Sequence, residues 1–137
     1  MQTDEAGLQF IISNEGFTPV PKGDYGHQVI GHGHDILPGE SFPLGITEAQ
    51  AYALLQSDVA KVDKAMNAQR LALDFNQNQW NAIADFTFEC GTGALIQLLA
   101  HGIDQITAQL PRWDHAGGKE LSNIETRREK DIALYNS

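Results

Sequence analysis

The sequence predicts an α+β fold, on three observations. Helical periodicity runs through residues 4–14 and returns from residue 47 onward. Between them, residues 17–45 lose that period and fill with Gly, Pro and short β-prone pieces. The chain's 137 residues, 42% of them hydrophobic, are enough for one domain with a real core.

The first helix begins at Asp4, a capping residue, and sets Leu8, Ile11 and Ile12 on one face with Phe10 beside them. Asn14-Glu15-Gly16 ends it. From Phe17 to Gly45, pieces such as Gln28-Val29-Ile30 alternate with turn residues, as in a small, irregular antiparallel sheet. Thr47-Glu48 opens the next helix, in which Ala51, Leu55, Val59, Val62 and Met66 keep a 3.6 period and Asp58, Lys61 and Asp63 fall off the stripe. It is the longest helix in the chain, long enough to connect two lobes. Residues 76–90, with Trp80, Ile83, Ala84, Phe86 and Phe88, are apolar nearly all round, which marks a central helix that Gly91 and Gly93 are expected to stop. Short helices are expected at 94–101 and 103–110, then Pro111-Arg112-Trp113, a Gly117-Gly118 turn, and a polar helix from about Ser122 that carries Arg127 and Arg128. The expectation is a single domain over 1–137, with a sheet lobe at about 15–46, a connecting helix at about 47–67, and a helical lobe at about 68–137 joined by the N-terminal helix.

Charge excludes some partners. Lys and Arg number 9 against 18 Asp and Glu, and the formal charge of -9 opposes nucleic acid and anionic membrane surfaces. No apolar run approaches the roughly 18 to 20 residues of a membrane span. Cys90 is the only cysteine, so no internal disulfide forms, and its apolar surroundings suit a buried, inert thiol. Met1 to Glu5 carries acids where a signal peptide carries bases, so no signal peptide is expected and export needs another protein. A monomer without a cofactor is expected.

The stretch from Asn14 to Asp35 is where chemistry concentrates. Glu15 and Asp24 lie on either side of a Pro/Gly-punctuated turn, five glycines fall at 16, 23, 26, 31 and 33, and three of the 5 histidines follow closely. Folding the turn back on the helix end brings two acids to opposite sides of one groove, the arrangement glycoside hydrolysis requires. By themselves, a Glu at a helix end and an Asp in a turn are also ordinary features. His27, His32 and His34 with Asp35 are compatible with a metal site, because a His-x-His pair on a strand points both rings to one face.

Glu15-Gly16-Phe17, Asp24, Ile30-Gly31-His32-Gly33-His34, Phe86-Thr87-Phe88-Glu89-Cys90-Gly91 and the tail from Arg112-Trp113-Asp114 through Gly117-Gly118-Lys119 to Arg127-Arg128 form a series. In content and order it resembles the bacteriophage-type lysozymes, glycoside hydrolase family 24, over nearly the whole chain. The resemblance implies a lysozyme-like fold: a sheet lobe and a helical lobe joined by a long helix, with peptidoglycan in the cleft between them. It implies that Glu15 is the general acid and that Asp24 orients or activates water. It makes His34 a structural residue paired with Asp58 on the long helix, which removes the metal reading, and it places Arg127 where a basic residue reaches the catalytic Glu. Glu89 stands where the family has Asn or Gln facing the sugar's amide, and the alternative for it is a solvent-facing carboxylate. Trp113 with Gly117 and Gly118 matches a segment that lines the cleft, with a plain core role as the alternative for the Trp. His32 replaces a Tyr and either touches sugar or is a solvated strand residue.

The sequence departs from the family at the water-positioning group. Val29 occupies the position of a Thr whose hydroxyl holds the attacking water, and the turn between Asp24 and Ile30 is one residue shorter than usual. Gln28 and His27 are the polar neighbours left to replace that hydroxyl, provided the register moves by one. Three functions follow. The first is an inverting muramidase that cleaves the β-1,4 bond between N-acetylmuramic acid and N-acetylglucosamine. The second is a lytic transglycosylase, or a hydrolase of another amino-sugar polymer, using the same cleft. The third is a wall-binding module without catalysis. For all three the partner is peptidoglycan or a similar glycan, reached after release from the host by a holin or by lysis.

Overall fold

The computed structural model describes residues 1–24, 27–116, 119–120 and 122–137. Helix α1 spans Glu5–Glu15. The Asp4 carboxylate caps it by accepting from the Gly7 N–H at 3.0 Å. Gly16 ends it with φ 73°, where its own N–H still reaches the Ile12 carbonyl at 2.8 Å.

Strands β1 (Thr18–Asp24), β2 (His27–Gly31) and β3 (His34–Asp35) form an antiparallel sheet in chain order. At the hairpin end the register is regular, with Lys22 opposite Val29, Gly23 opposite Gln28 and Asp24 opposite His27. An irregularity follows between Thr18 and Lys22, which contains Pro19 and Pro21; proline has no N–H for a ladder, so a bulge is where a strand can hold it. His32 and Gly33 form the turn between β2 and β3, flanked and shaped by left-handed φ values of 68° at Gly31 and 76° at Gly33. The expected His-x-His pair on one strand is therefore corrected: His32 is a turn residue and His34 opens the next strand.

Helix α2 runs Glu48–Asn67 behind a Thr47/Gln50 capping box and buries Ala51, Leu55, Val59 and Met66. A 3-10 segment, Arg70–Asp74, leads to α3 (Gln77–Cys90), which an Asn76/Gln79 capping box starts. Residues 80–87 of α3 are buried on every side, with α1, α2, α4 and α6 packed around them. Gly91 alone stops α3, at φ 93°; Gly93 lies inside the first turn of α4 (Thr92–Leu99) and stops nothing, contrary to expectation. The region expected as one helix at 103–110 is three short turns: a 3-10 segment at Ile103–Gln105, α5 at Ile106–Gln109, and a second 3-10 turn at Leu110–Arg112 that takes Pro111 early. Strands β4 (His115–Ala116) and β5 (Lys119–Glu120) pair, and α6 spans Ser122–Tyr135.

The main core gathers Trp80, Phe86, Leu95, Leu98, Ile106 and Leu110, and a smaller one joins Leu8 and Ile11 to Leu55 and Val59. Asp63, off the apolar stripe of α2, accepts from the Trp80 indole at 2.8 Å and from the Thr3 N–H at 3.0 Å, tying the N-terminus, α2 and α3 together. No described helix is long and apolar enough to cross a membrane.

Candidate active site

Glu15 is the last residue of α1, and its side chain is 20% exposed. The β2–β3 turn lies directly against it. A Cβ added at Gly33 would fall 2.5 Å from Glu15 Oε1, so glycine is needed there for space as well as for φ. From α6, Arg127 donates to Glu15 Oε2 at 2.6 Å. Burial raises the Glu15 pKa, Arg127 opposes the rise, and the nearby Asp85 and Glu89 charges add to it; the net result is a carboxyl that holds its proton above the ordinary range.

Arg127 and Arg128 lie on a helix that looks polar in sequence, yet both are buried, and buried guanidinium groups need partners. Arg127 finds Asp85, a fully buried residue of α3, in a two-pronged contact: Nε to Oδ2 at 2.9 Å and Nη2 to Oδ1 at 2.7 Å. Its Nη1 also donates to Glu89 at 3.2 Å, and Arg128 pairs with the other Glu89 oxygen. Glu89 is thus held between two arginines while its side chain stays 22% exposed, a pairing that neither the sugar-facing nor the solvent-facing expectation included. Arg128 stacks on Phe86, 5.2 Å from the ring centroid. Asp131, also fully buried, sits behind Asp85. Burial and the Asp85 charge push its pKa up to about 10, so it keeps its proton, and its nearest cation is Arg128, whose Nε lies 3.4 Å from Oδ2.

The other expected residues take these places. Asp24 ends β1 opposite His27; its side chain, like Gly117 and Gly118, lies outside the described residues. His27 is half exposed and 3.2 Å from Asp35. Gln28 is exposed at the position opposite Gly23. His32 is only 6% exposed and donates from Nδ1 to the Gly16 carbonyl at 2.6 Å, so it braces the end of α1; a solvated strand residue it is not. His34 faces carboxylates from both ring nitrogens, Asp58 at 2.8 Å and Glu40 at 3.0 Å, and donates to both as an imidazolium. Burial draws its pKa down, but these two bonds outweigh that and leave it raised. Trp113 packs edge-on to Phe86 at 5.6 Å, partly buried on the helical core. Burial pushes the Cys90 thiol up to about 12, which leaves it unreactive.

Sequence reasoning missed Asp85, Asp131, Glu40 and the packing of Gly33 on Glu15. A signal existed for Asp85: a lone acid inside an all-round apolar helix needs a cation, and Arg127 and Arg128 were the adjacent pair on offer. Glu40 lies in an irregular loop whose path no periodicity foretells.

Known proteins resemble the chain in sequence and in fold. The sequence model of the phage lysozyme family matches residues 13–131. The endolysin of Bacillus phage PZA is 33% identical over an alignment that takes in 100% of this chain and 56% of that protein. The SAR-endolysin of bacteriophage PS119 is 33% identical over 81% of this chain and 66% of its own length. The chain thus spans a little over half to about two thirds of these relatives. Among solved structures, a mutant of P22 lysozyme aligns with a TM-score of 0.78 at 26% identity, covering 100% of this chain and 99% of that one.

Proposed function

The chain belongs to the phage lysozyme family, and from that premise we propose that it is a peptidoglycan hydrolase cleaving the β-1,4 bond between N-acetylmuramic acid and N-acetylglucosamine. The observation that carries the reading is the Glu15 carboxyl: one-fifth exposed, fixed by Arg127 at 2.6 Å and by the Gly33 backbone, and desolvated enough to stay protonated above the usual range. A general acid must hold a proton near neutral pH and give it to the leaving oxygen, a contribution of roughly 100- to 10,000-fold. Once Glu15 has given its proton, the Arg127 guanidinium stabilises the carboxylate left behind. Asp85 keeps that guanidinium in place.

Asp24 is the second carboxylate of the proposal. It stays ionised and directs water to the opposite face of the sugar, with a separation from Glu15 of roughly 6.5 to 9.5 Å expected for inversion. Val29 brings no hydroxyl to hold that water. His27, opposite Asp24 in the β1–β2 ladder, is the polar residue best placed by register to do so, and Gln28 is the second candidate. Trp113, partly buried beside Phe86, is the aromatic residue that covers a sugar ring in this proposal. The enzyme acts as a monomer on glycan strands at the cell wall, reached through a holin or on lysis, in keeping with the endolysin names of its relatives.

The missing hydroxyl at Val29 favours one second reading, a lytic transglycosylase that uses Glu15 alone. Product analysis on purified peptidoglycan separates the two: hydrolysis leaves a reducing end, transglycosylation leaves a 1,6-anhydro end, and a binding module releases nothing.

A further inference from the structure

We propose that Glu89 is a positioning residue: a second carboxylate on the Arg127 guanidinium that limits the grip of that cation on Glu15 and so keeps Glu15 in its proton-donating form. The inference rests on Glu15 being the general acid. Asp85 takes the Nε–H and one Nη2–H of Arg127, and the other two carboxylates on this guanidinium both meet it at Nη1. Nη1 carries two hydrogens and meets two carboxylates, Glu15 at 2.6 Å and Glu89 at 3.2 Å. Without Glu89, both hydrogens are free for Glu15. Glu89 holds this position because it lies one helical turn beyond Asp85 on α3, facing the same way, and because Arg128 fixes its other oxygen.

Charge counting leads to the same place. The described groups around Glu15 are Asp85 and Glu89 from α3, Arg127 from α6 and the Gly33 backbone from the β2–β3 turn, with Arg128 and Asp131 of α6 behind them. Four acids face two guanidinium groups. A mostly buried cluster favours neutrality, since an unbalanced charge away from water is costly. Neutrality requires two protons: Asp131 holds one, and Glu15 is the acid that takes the other. Replacing Glu89 by a neutral amide balances the cluster with Glu15 ionised, and it frees Arg127 to hold that ion. Both effects draw the proton off Glu15.

The test is the pH–rate profile on purified peptidoglycan for the wild type, Glu89→Gln and Glu89→Asp, with folding followed by circular dichroism. The alkaline limb is expected to move to lower pH by about one unit in Glu89→Gln, the order of effect of a like charge at contact range. Glu89→Asp, which keeps the charge, leaves the limb in place. Carbon-13 NMR titration of the Glu15 carboxyl is expected to give the same displacement without turnover, and Glu89→Asn supplies a second neutral variant should the Gln protein melt below the assay temperature. A folded neutral variant whose limb and Glu15 titration stay in place, or move to higher pH, overturns the proposal. The underlying assignment fails separately: an active Glu15→Gln enzyme removes Glu15 as the acid, whereas an inactive one beside an unshifted Glu89→Gln removes only the role of Glu89.

Discussion

Gly33 and Glu15 are in contact across the site, with the turn backbone so close that a Cβ at residue 33 would stand 2.5 Å from Glu15 Oε1 and 2.7 Å from its carboxyl carbon. The nearest atoms are the end of a flexible side chain, so an added methyl displaces the carboxyl more readily than it breaks the fold. Gly33→Ala is expected to lower kcat roughly a hundredfold, the penalty of an ångström-scale misplacement. Its left-handed φ adds a stability cost of about 1–2 kcal/mol. Turnover measured beside urea denaturation checks this; a variant that loses stability but keeps full activity contradicts the packing role.

Asp85 and Asp131 are both fully buried on the same arginine pair, but only Asp85 is ionised, its pKa held down by Arg127 against the effect of burial. Asp85→Asn is expected to destabilise the protein by about 3 kcal/mol, because it leaves Arg127 without its paired charge. Asp131→Asn replaces a neutral acid with a neutral amide. The raised folded pKa of Asp131 means that the wild type loses stability as pH rises above the unfolded value of 3.8, and the Asn variant does not. Asp131→Asn is therefore expected to match the wild type near pH 3.5 and to be the more stable protein at pH 7. Melting curves at the two pH values decide it.

His34 joins the sheet to α2 through Asp58 and to the following loop through Glu40. Its raised pKa makes the stabilisation complete below the ordinary 6.5 and lost as pH rises through the folded value. Glu40, drawn down mainly by the Leu37 N–H and then by His34, contributes above 4.5 and loses its contribution as pH falls through its folded value. A double-mutant cycle of His34→Gln with Asp58→Asn is expected to give a coupling on the order of 1 kcal/mol at pH 6 that declines toward pH 9. Coupling that is absent at pH 6, or unchanged at pH 9, contradicts the pairing.

The water-positioning question turns on the hairpin. The ladder keeps Asp24 opposite His27 with no slip at that end. The register shift that would turn Gln28 toward the water is absent there, but His27 lies opposite Asp24 and shares a strand face with Val29, so His27→Ala is still expected to cut turnover at least about tenfold, the value of one transition-state hydrogen bond of roughly 1.4 kcal/mol, with little change in melting temperature. Gln28→Ala, on the opposite strand face, is expected to do less. A strong gain from Val29→Thr with both alanine variants near wild type would return the role to position 29.

What the sequence made legible followed from periodicity and from motif order. The stripe from Ala51 to Met66 is long and regular enough to define α2, and the apolar run around Trp80 could only be a central helix. Glu15 and Arg127 were named because each sits in a recognisable motif. Asp85, Asp131 and Glu40, the second partner of His34 beside the expected Asp58, are not legible in this way, since each depends on which helix faces or loops meet, and local pattern does not encode that. Gly93 misled because glycine breaks a helix only where the chain also leaves it, and the chain had already left at Gly91. His32 was misplaced by one element for a related reason: the left-handed glycines on both sides of it make a turn where alternation suggests a strand.

Glu15→Gln tests the central claim most directly, because it removes the transferable proton and almost no volume. Steady-state turnover of purified peptidoglycan, read as new reducing ends, is expected to fall at least about a hundredfold while the variant folds and binds glycan as the wild type does. A Glu15→Gln protein that keeps more than about a tenth of wild-type turnover would show that the proton comes from elsewhere, and that Glu15 is not the acid of this enzyme.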